Sequence, residues 1–219
     1  MPFTLYESGD KKDEKKSERL ESSILEGTVV NNCRRGIVPE VLVRIPSLGE
    51  EVWARLTGPG GGAGTGQEFT PNLDTEVLVG FSGNSVDNAY ILNGLWNTVD
   101  SPPAENDLTG VPTKRVIKTG LKGVVGHTLE FDDGVNQSIT ITTSAKQKIV
   151  LDKEKIELST LGDSVKITLD LKTQKVSIQA LQIEIGGAKT LSLKLNAQKI
   201  DIGDSKSQTT IKGTPVMLN

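Results

Sequence analysis

The sequence predicts an all-β protein made of two unlike pieces, an N-terminal barrel and a long β-fibre. Three observations carry that prediction. Every Trp, Tyr and Phe lies at or before Phe131, and no proline occurs between Pro112 and Pro215. The stretch VKITLDLKTQKVSIQALQIEIGGAKTLSLKLNAQKIDIG, residues 165–203, alternates aliphatic and polar residues almost without a break. A period of two gives each strand one dry and one wet face.

Composition narrows the function classes. The 219 residues carry a net charge of -3 and are 35% hydrophobic, an ordinary globular balance that could hold one or two domains. The 25 basic residues are scattered among 28 acidic ones, so the chain has no overall basic footprint and nucleic acid is not expected as a partner. One cysteine, Cys33, cannot form an internal disulfide, and no stretch approaches membrane-spanning length. Assembly in a reducing cytoplasm is expected.

Residues 1–23 are polar and charge-mixed and read as a flexible or partner-docking arm. Residues 24–97 hold short apolar runs, EGTVVNN, EVLVRIP, EVWARL, TEVLVGF and AYILNGLW, broken at Gly36, Pro39, Pro46, Gly49 and Gly83. That spacing predicts a small closed barrel of about five strands, with Trp53, Phe69, Phe81, Tyr90 and Trp96 supplying ring volume to core and rim. The glycine run TGPGGGAGTG, residues 57–66, lacks a following Gly-Lys-Ser/Thr and any βαβ setting, so it reads as a turning loop and not a phosphate cradle. Residues 98–126 read as linker and neck, Pro-rich and polar at their start.

Residues 127–219 are expected to form the fibre and its tip. Apolar pairs return at Ile139/Ile141, Ile149/Leu151, Ile156/Leu158, Val165/Ile167/Leu169/Leu171, Val176/Ile178, Ile183/Ile185, Leu191/Leu193/Leu195, Ile200/Ile202 and Val216/Leu218, separated by short polar turns. About ten successive strands with no helix between them follow from this pattern. One aliphatic stripe needs a second layer to cover it. The missing rings call for a narrow interior, which leaves a single-chain solenoid or a prism of several identical chains. A solenoid would repeat at a fixed period of roughly 20 residues or more, whereas these pairs recur at unequal steps, which favours the prism. Ile139, Ile141, Val165, Ile167, Leu169, Leu191, Leu193, Leu195, Ile200 and Ile202 are the expected core of a trimer. Strands stacked at about 4.8 Å give a needle on the order of 50 Å.

Catalytic chemistry is poorly supplied. His127 is the only histidine, so neither a Ser-His-Asp triad nor a multi-histidine zinc site forms within one chain, and no metal or cofactor is expected. Asp132-Asp133 followed by Gly134 reads as a turn before it reads as a carboxylate pair. Arg34 and Arg35 read as solvated charges beside Cys33. A polysaccharide-active solenoid would want sugar-stacking rings, and residues 132–219 contain none. A nucleic-acid-binding barrel would want exposed rings among basic residues, and Glu50 and Glu51 intervene between Arg44 and Trp53.

The motifs GTVVNN, VLVRIPSLGEEVWARL, FTPNLDTEVLVGFSGNSVDNAYILNGLWN and GHTLEFDD resemble, in order, phage baseplate assembly protein V and the valine-glycine repeat protein G spikes of type VI secretion. Residues 24–135 carry the resemblance by motif, and the remainder by strand pattern. Departures fall mainly at turn positions, at Pro39-Glu40, Asp74, Asn84 and Asn93. The resemblance implies an oligonucleotide/oligosaccharide-binding (OB) barrel followed by a trimeric, intertwined triple-stranded β-helix. It further implies a non-enzymatic central spike of a contractile tail or injection system, carried in the baseplate particle and driven through a target envelope when the sheath contracts. A separate hub protein is implied on the barrel side, because the 23 residues before the barrel leave no room for a hub or lysozyme domain. At the other end Val216, Met217, Leu218 and Asn219 would form a blunt apolar tip capped by a conical protein with proline-alanine-alanine-arginine repeats, since the iron-binding His-x-His tip of some relatives is absent.

Overall fold

A computed structural model of the protein describes residues 23–32, 38–83, 85–104, 110–187, 194–203, 206–210 and 213. The chain divides into two compact units, Met1–Gln179 and Ala180–Asn219.

The first unit begins with β1 (Ile24–Asn31), β2 (Glu40–Ile45), β3 (Glu50–Leu56), β4 (Glu76–Phe81) and β5 (Ala89–Gly94). They close into a barrel in the order β1-β2-β3-β5-β4, with β1 pairing back onto β4 and β3 running parallel to β5. Closure leaves no free edge. Each strand turns alternate residues inward: Val29, then Val41, Val43 and Ile45, Val52 and Ala54, Val77, Val79 and Phe81, Ala89 and Ile91. The largest of those fully buried are aliphatic, and each contributes about 1.5–3 kcal/mol by leaving water. Gly27 lies where β1 and β2 approach closely. A Cβ there would overlap Val43 Cγ1 and sit 3.0 Å from the Arg44 carbonyl oxygen.

Of the rings expected in core and rim, few reach the core. Phe81 alone among the five is buried, while Phe69 and Trp96 are exposed and Trp53 and Tyr90 half-buried. A five-stranded barrel has a narrow interior, and β-branched side chains at alternate positions already fill it. The residue 57–66 loop is a turning segment, closed by a Gly62–Thr65 bridge.

The same unit continues with β6 (Lys114–Lys118), β7 (Thr128–Asp132), β8 (Ser138–Thr142), β9 (Lys148–Asp152), β10 (Lys155–Ser159), β11 (Lys166–Asp170) and β12 (Lys175–Gln179). They form one seven-stranded sheet in sequence order, with every neighbouring pair antiparallel. An antiparallel meander differs from the parallel coils of a solenoid, so the single-chain solenoid reading is corrected. β6 falls inside the segment read as linker and neck.

Aspartates close the turns on one border of the sheet. Asp132 Oδ1 accepts from the Gly134 N–H at 2.8 Å, Asp152 Oδ1 from Glu154 and Lys155 at 2.8 Å each, and Asp170 Oδ1 from Thr173 at 2.8 Å. Each carboxylate satisfies amides that the tight reversal leaves unpaired. These bonds hold the Asp152 and Asp170 carboxyls below the usual range.

In the second unit the described residues form no strand. Strands expected at Ile183/Ile185 and Ile200/Ile202 are therefore not formed within the chain. Alternation marks which side chains need cover, but it does not say which backbone supplies the ladder.

Candidate interaction surface

The register of the sheet sorts its side chains into two faces. Directly paired residues share a face, as do residues two apart along a strand. One cross-strand row runs Ile117, Leu129, Ile141, Ile149, Leu158, Ile167, Ile178. The second runs Arg115, Phe131, Ile139, Leu151, Ile156, Leu169, Val176 on the same face. Thirteen of these fourteen positions are apolar, and the exception is Arg115. Because β6 to β12 are each five residues long, the second and fourth positions face one way and the first, third and fifth the other.

No second layer of the described chain covers this face. Ile139, Ile141, Ile149, Leu151, Leu158, Leu169, Val176 and Ile178 are all exposed, with Ile141 retaining 42% of its surface. Part of the face is an open depression lined by Ile141, Ile149, Leu158, Val165 and Ile167. A continuous aliphatic surface of this extent marks a site of association.

The opposite face is mainly polar and carries a charge cluster around Glu157. Glu157, only 8% exposed, accepts from Lys155 Nζ at 2.7 Å and pairs with Lys166 Nζ at 3.0 Å, and Lys166 also pairs with Asp163 at 3.2 Å. The Lys155 bond, joined by Lys166, holds the Glu157 carboxyl below its usual range against the opposing effect of burial. Glu157 in turn, with Asp163, raises the Lys166 ammonium.

The remaining candidates have ordinary structural roles. His127 Nδ1 accepts from the Ser144 N–H at 3.3 Å, which fixes one turn to the next. Asp132 closes its turn, and Asp133 pairs with Arg115. Around Trp53 the cations are engaged: Arg44 bonds Glu51 at 2.9 Å, and Arg55 lies 5.8 Å over the Tyr90 ring. Among the described residues no group of three or more His, Cys, Asp or Glu is positioned to hold a metal ion, and no helix is long and apolar enough to cross a membrane.

Of the expected trimer core, Ile139, Ile141, Ile167 and Leu169 lie in the two rows. Val165 borders the same depression just before β11. Leu195, Ile200 and Ile202 are exposed outside any strand. Leu191, Leu193, Val216, Met217, Leu218 and Asn219 lie outside the described residues, as do Cys33, Arg34 and Arg35. Sequence reasoning omitted Ile117, Leu129 and Phe131 from the face. Their strands are short, and Arg115 interrupts the apolar alternation in β6.

The loop joining β6 to β7 is tied to the barrel. Asn72 Nδ2 donates to the Gly120 carbonyl at 3.2 Å, and Lys122 pairs with Asp74 at 3.5 Å. Barrel and sheet thus meet through polar contacts at this loop.

Residues 25–96 match the family model of the type VI secretion system/phage-baseplate injector OB domain. No curated protein matches the chain. The match spans the five barrel strands and bears out the baseplate resemblance read from the sequence. The barrel is thus similar to the injector OB domain of that family, a likeness that supports a structural role in a baseplate particle.

Proposed function

We propose that this chain, with its baseplate injector OB barrel, is the central spike of a contractile tail or injection system, acting as a homotrimer that pierces a target envelope when the sheath contracts. The observation that carries the proposal is the uncovered two-row aliphatic face of β6–β12, attached to a barrel of the injector family.

Geometry favours three copies. A five-residue strand spans about 17 Å. In an equilateral triangle of that side the centre lies about 5 Å from each face, half the roughly 10 Å that separates packed sheets. Three sheets therefore close around their aliphatic rows without a void. Four would leave an empty centre, and two would leave both borders of a two-row core open to water. The same narrow interior accounts for the single ring, Phe131, in the rows. Beyond β12 the described alternating residues form no strand, consistent with strands that intertwine with those of neighbouring copies.

Such an object does mechanical work through stiffness and needs no catalytic group. Its barrels would seat on a separate hub protein. Val216, Met217, Leu218 and Asn219 would meet a cap protein with proline-alanine-alanine-arginine repeats. Assembly would occur in the producing cytoplasm, with export on firing.

Purified contractile particles provide the test. The chain should be present in a multiple of three per particle and become accessible in the target envelope fraction only after contraction. Absence from the particle, or retention inside it after firing, would contradict the proposal. A purified trimer that fails to bind its cognate cap protein would remove the cap from the account while leaving the spike.

A further inference from the structure

We infer that the Arg115–Asp133 pair is the register key of the trimer, the polar layer of the β6–β12 face that fixes how the three copies align along their common axis. The inference rests on the three-chain prism proposed above.

Packing of the aliphatic rows alone leaves the alignment degenerate. Every strand from β6 to β12 has the same length and turns its second and fourth residues to the aliphatic face. From β8 to β12 those positions are all Ile, Leu or Val. Sliding one copy along the axis by two strands again sets aliphatic layers beside aliphatic layers, so hydrophobic burial, being non-directional, discriminates poorly between the two alignments.

Only the first layers break the repeat. In β6 the position equivalent to Phe131, Ile139, Leu151, Ile156, Leu169 and Val176 is Arg115. Its guanidinium pairs with Asp133, immediately beyond β7. In the aligned trimer three such pairs share one layer, next to the barrel end of the sheet, where charges meet charges. In an alignment displaced by two strands, each pair would face Ile139, Ile141, Leu151 or Ile149 of its neighbour. An ion pair enclosed by aliphatic groups loses water and gains no new partner. A single polar layer in an otherwise apolar interface is a recognised way of selecting register at some cost in stability.

Cysteine cross-linking in the full-length protein, with Cys33 replaced by serine, tests this. Ser138 and Thr142 end β8 on opposite borders of the sheet, and Ser159 ends β10 on the same border as Thr142. One chain carries Ser138→Cys with Thr142→Cys, which reports β8 beside β8. Another carries Ser138→Cys with Ser159→Cys, which reports a shift of two strands. With Arg115 and Asp133 present, the Ser138/Thr142 pair should give covalent trimers in more than about tenfold excess over any product of the Ser138/Ser159 pair, and the reverse excess would overturn the inference.

In the Arg115→Leu/Asp133→Asn background, which removes both charges together, the Ser138/Ser159 pair should in addition give covalent dimers, because sliding one copy brings β8 beside β10 at one corner of the three. Arg115→Met/Asp133→Asn should behave the same way, and native mass should stay that of a trimer in both. Retention of a single register in these variants would overturn the inference, because barrel or turns would then set the alignment. Loss of the trimer would also overturn it, by showing the pair to be required for association. A parent protein that is not a trimer by native mass would instead sink the prism reading itself.

Discussion

Replacing Ile141 by alanine should weaken association of the copies without unfolding the barrel. Ile141 keeps 42% of its surface exposed in the single chain, and its row neighbour Ile149 keeps 36%. Fully burying an isoleucine is worth about 1.5–3 kcal/mol, so covering the part still exposed recovers about 1 kcal/mol per side chain. Three copies carry the change together, which gives about 3 kcal/mol per trimer, or roughly a 150-fold weaker association constant. A cavity in a core that cannot collapse adds to that loss. Thr140 lies between Ile139 and Ile141 on the opposite face, so Thr140→Ala is the matched control. Guanidinium-induced dissociation, followed by light scattering at fixed protein concentration, reads the difference. Equal midpoints for Ile141→Ala and Thr140→Ala would refute the assignment of the aliphatic face to the interface.

Three further outcomes are expected. Gly27→Ala should destabilise the barrel by about 1–3 kcal/mol in thermal melts, because its Cβ meets Val43 and the Arg44 carbonyl; an unchanged melt would show that β1 can shift. Lys146 sits in the left-handed region at φ 64° in the turn between β8 and β9, so Lys146→Gly should be neutral or stabilise by up to about 1 kcal/mol, where loss of stability would contradict the turn geometry. Glu157, Asp152 and Asp170 have folded-state carboxyls held below their ordinary values. Their contribution is complete above the ordinary carboxylate pKa of about 4 and is lost as pH falls through the folded values. Melting temperature should therefore fall on acidification from neutrality toward pH of about 3, and less steeply in Glu157→Gln; an identical pH dependence in that variant would exclude Glu157 from the effect.

The barrel was legible because its strands are written in inward Val and Ile at alternate positions, bounded by Gly and Pro. Its ring positions were not, since ring volume suggests burial while the narrow interior excludes most of it. Trp96 and Phe69 are exposed because they lie outside the barrel strands, Phe69 between β3 and β4 and Trp96 after β5. The β8–β12 pattern was legible from Ile139/Ile141 through Val176/Ile178. β6 escaped notice because KRVIK offers only two apolar residues, and Arg115 occupies a position that elsewhere in the row is apolar. After Gln179 the alternation at Ile183/Ile185 and Ile200/Ile202 continues without a strand. Side-chain period specifies a face, whereas a strand also needs a neighbour for its backbone. Glu157 looked like one more solvent-facing residue in an alternating strand. Its partner Lys155 lies two residues earlier in the same strand, whereas Lys166 comes from β11 and only the register brings it within reach.

The central claim is that the β6–β12 face is covered by two further copies of the chain. Native mass of the purified full-length protein, with an unheated detergent gel alongside, tests it most directly. The account predicts three copies of the 23.5 kDa chain, about 70 kDa, persisting in detergent until the sample is heated. A detergent-sensitive monomer would contradict it, and the spike, its cap and its register key would fall together.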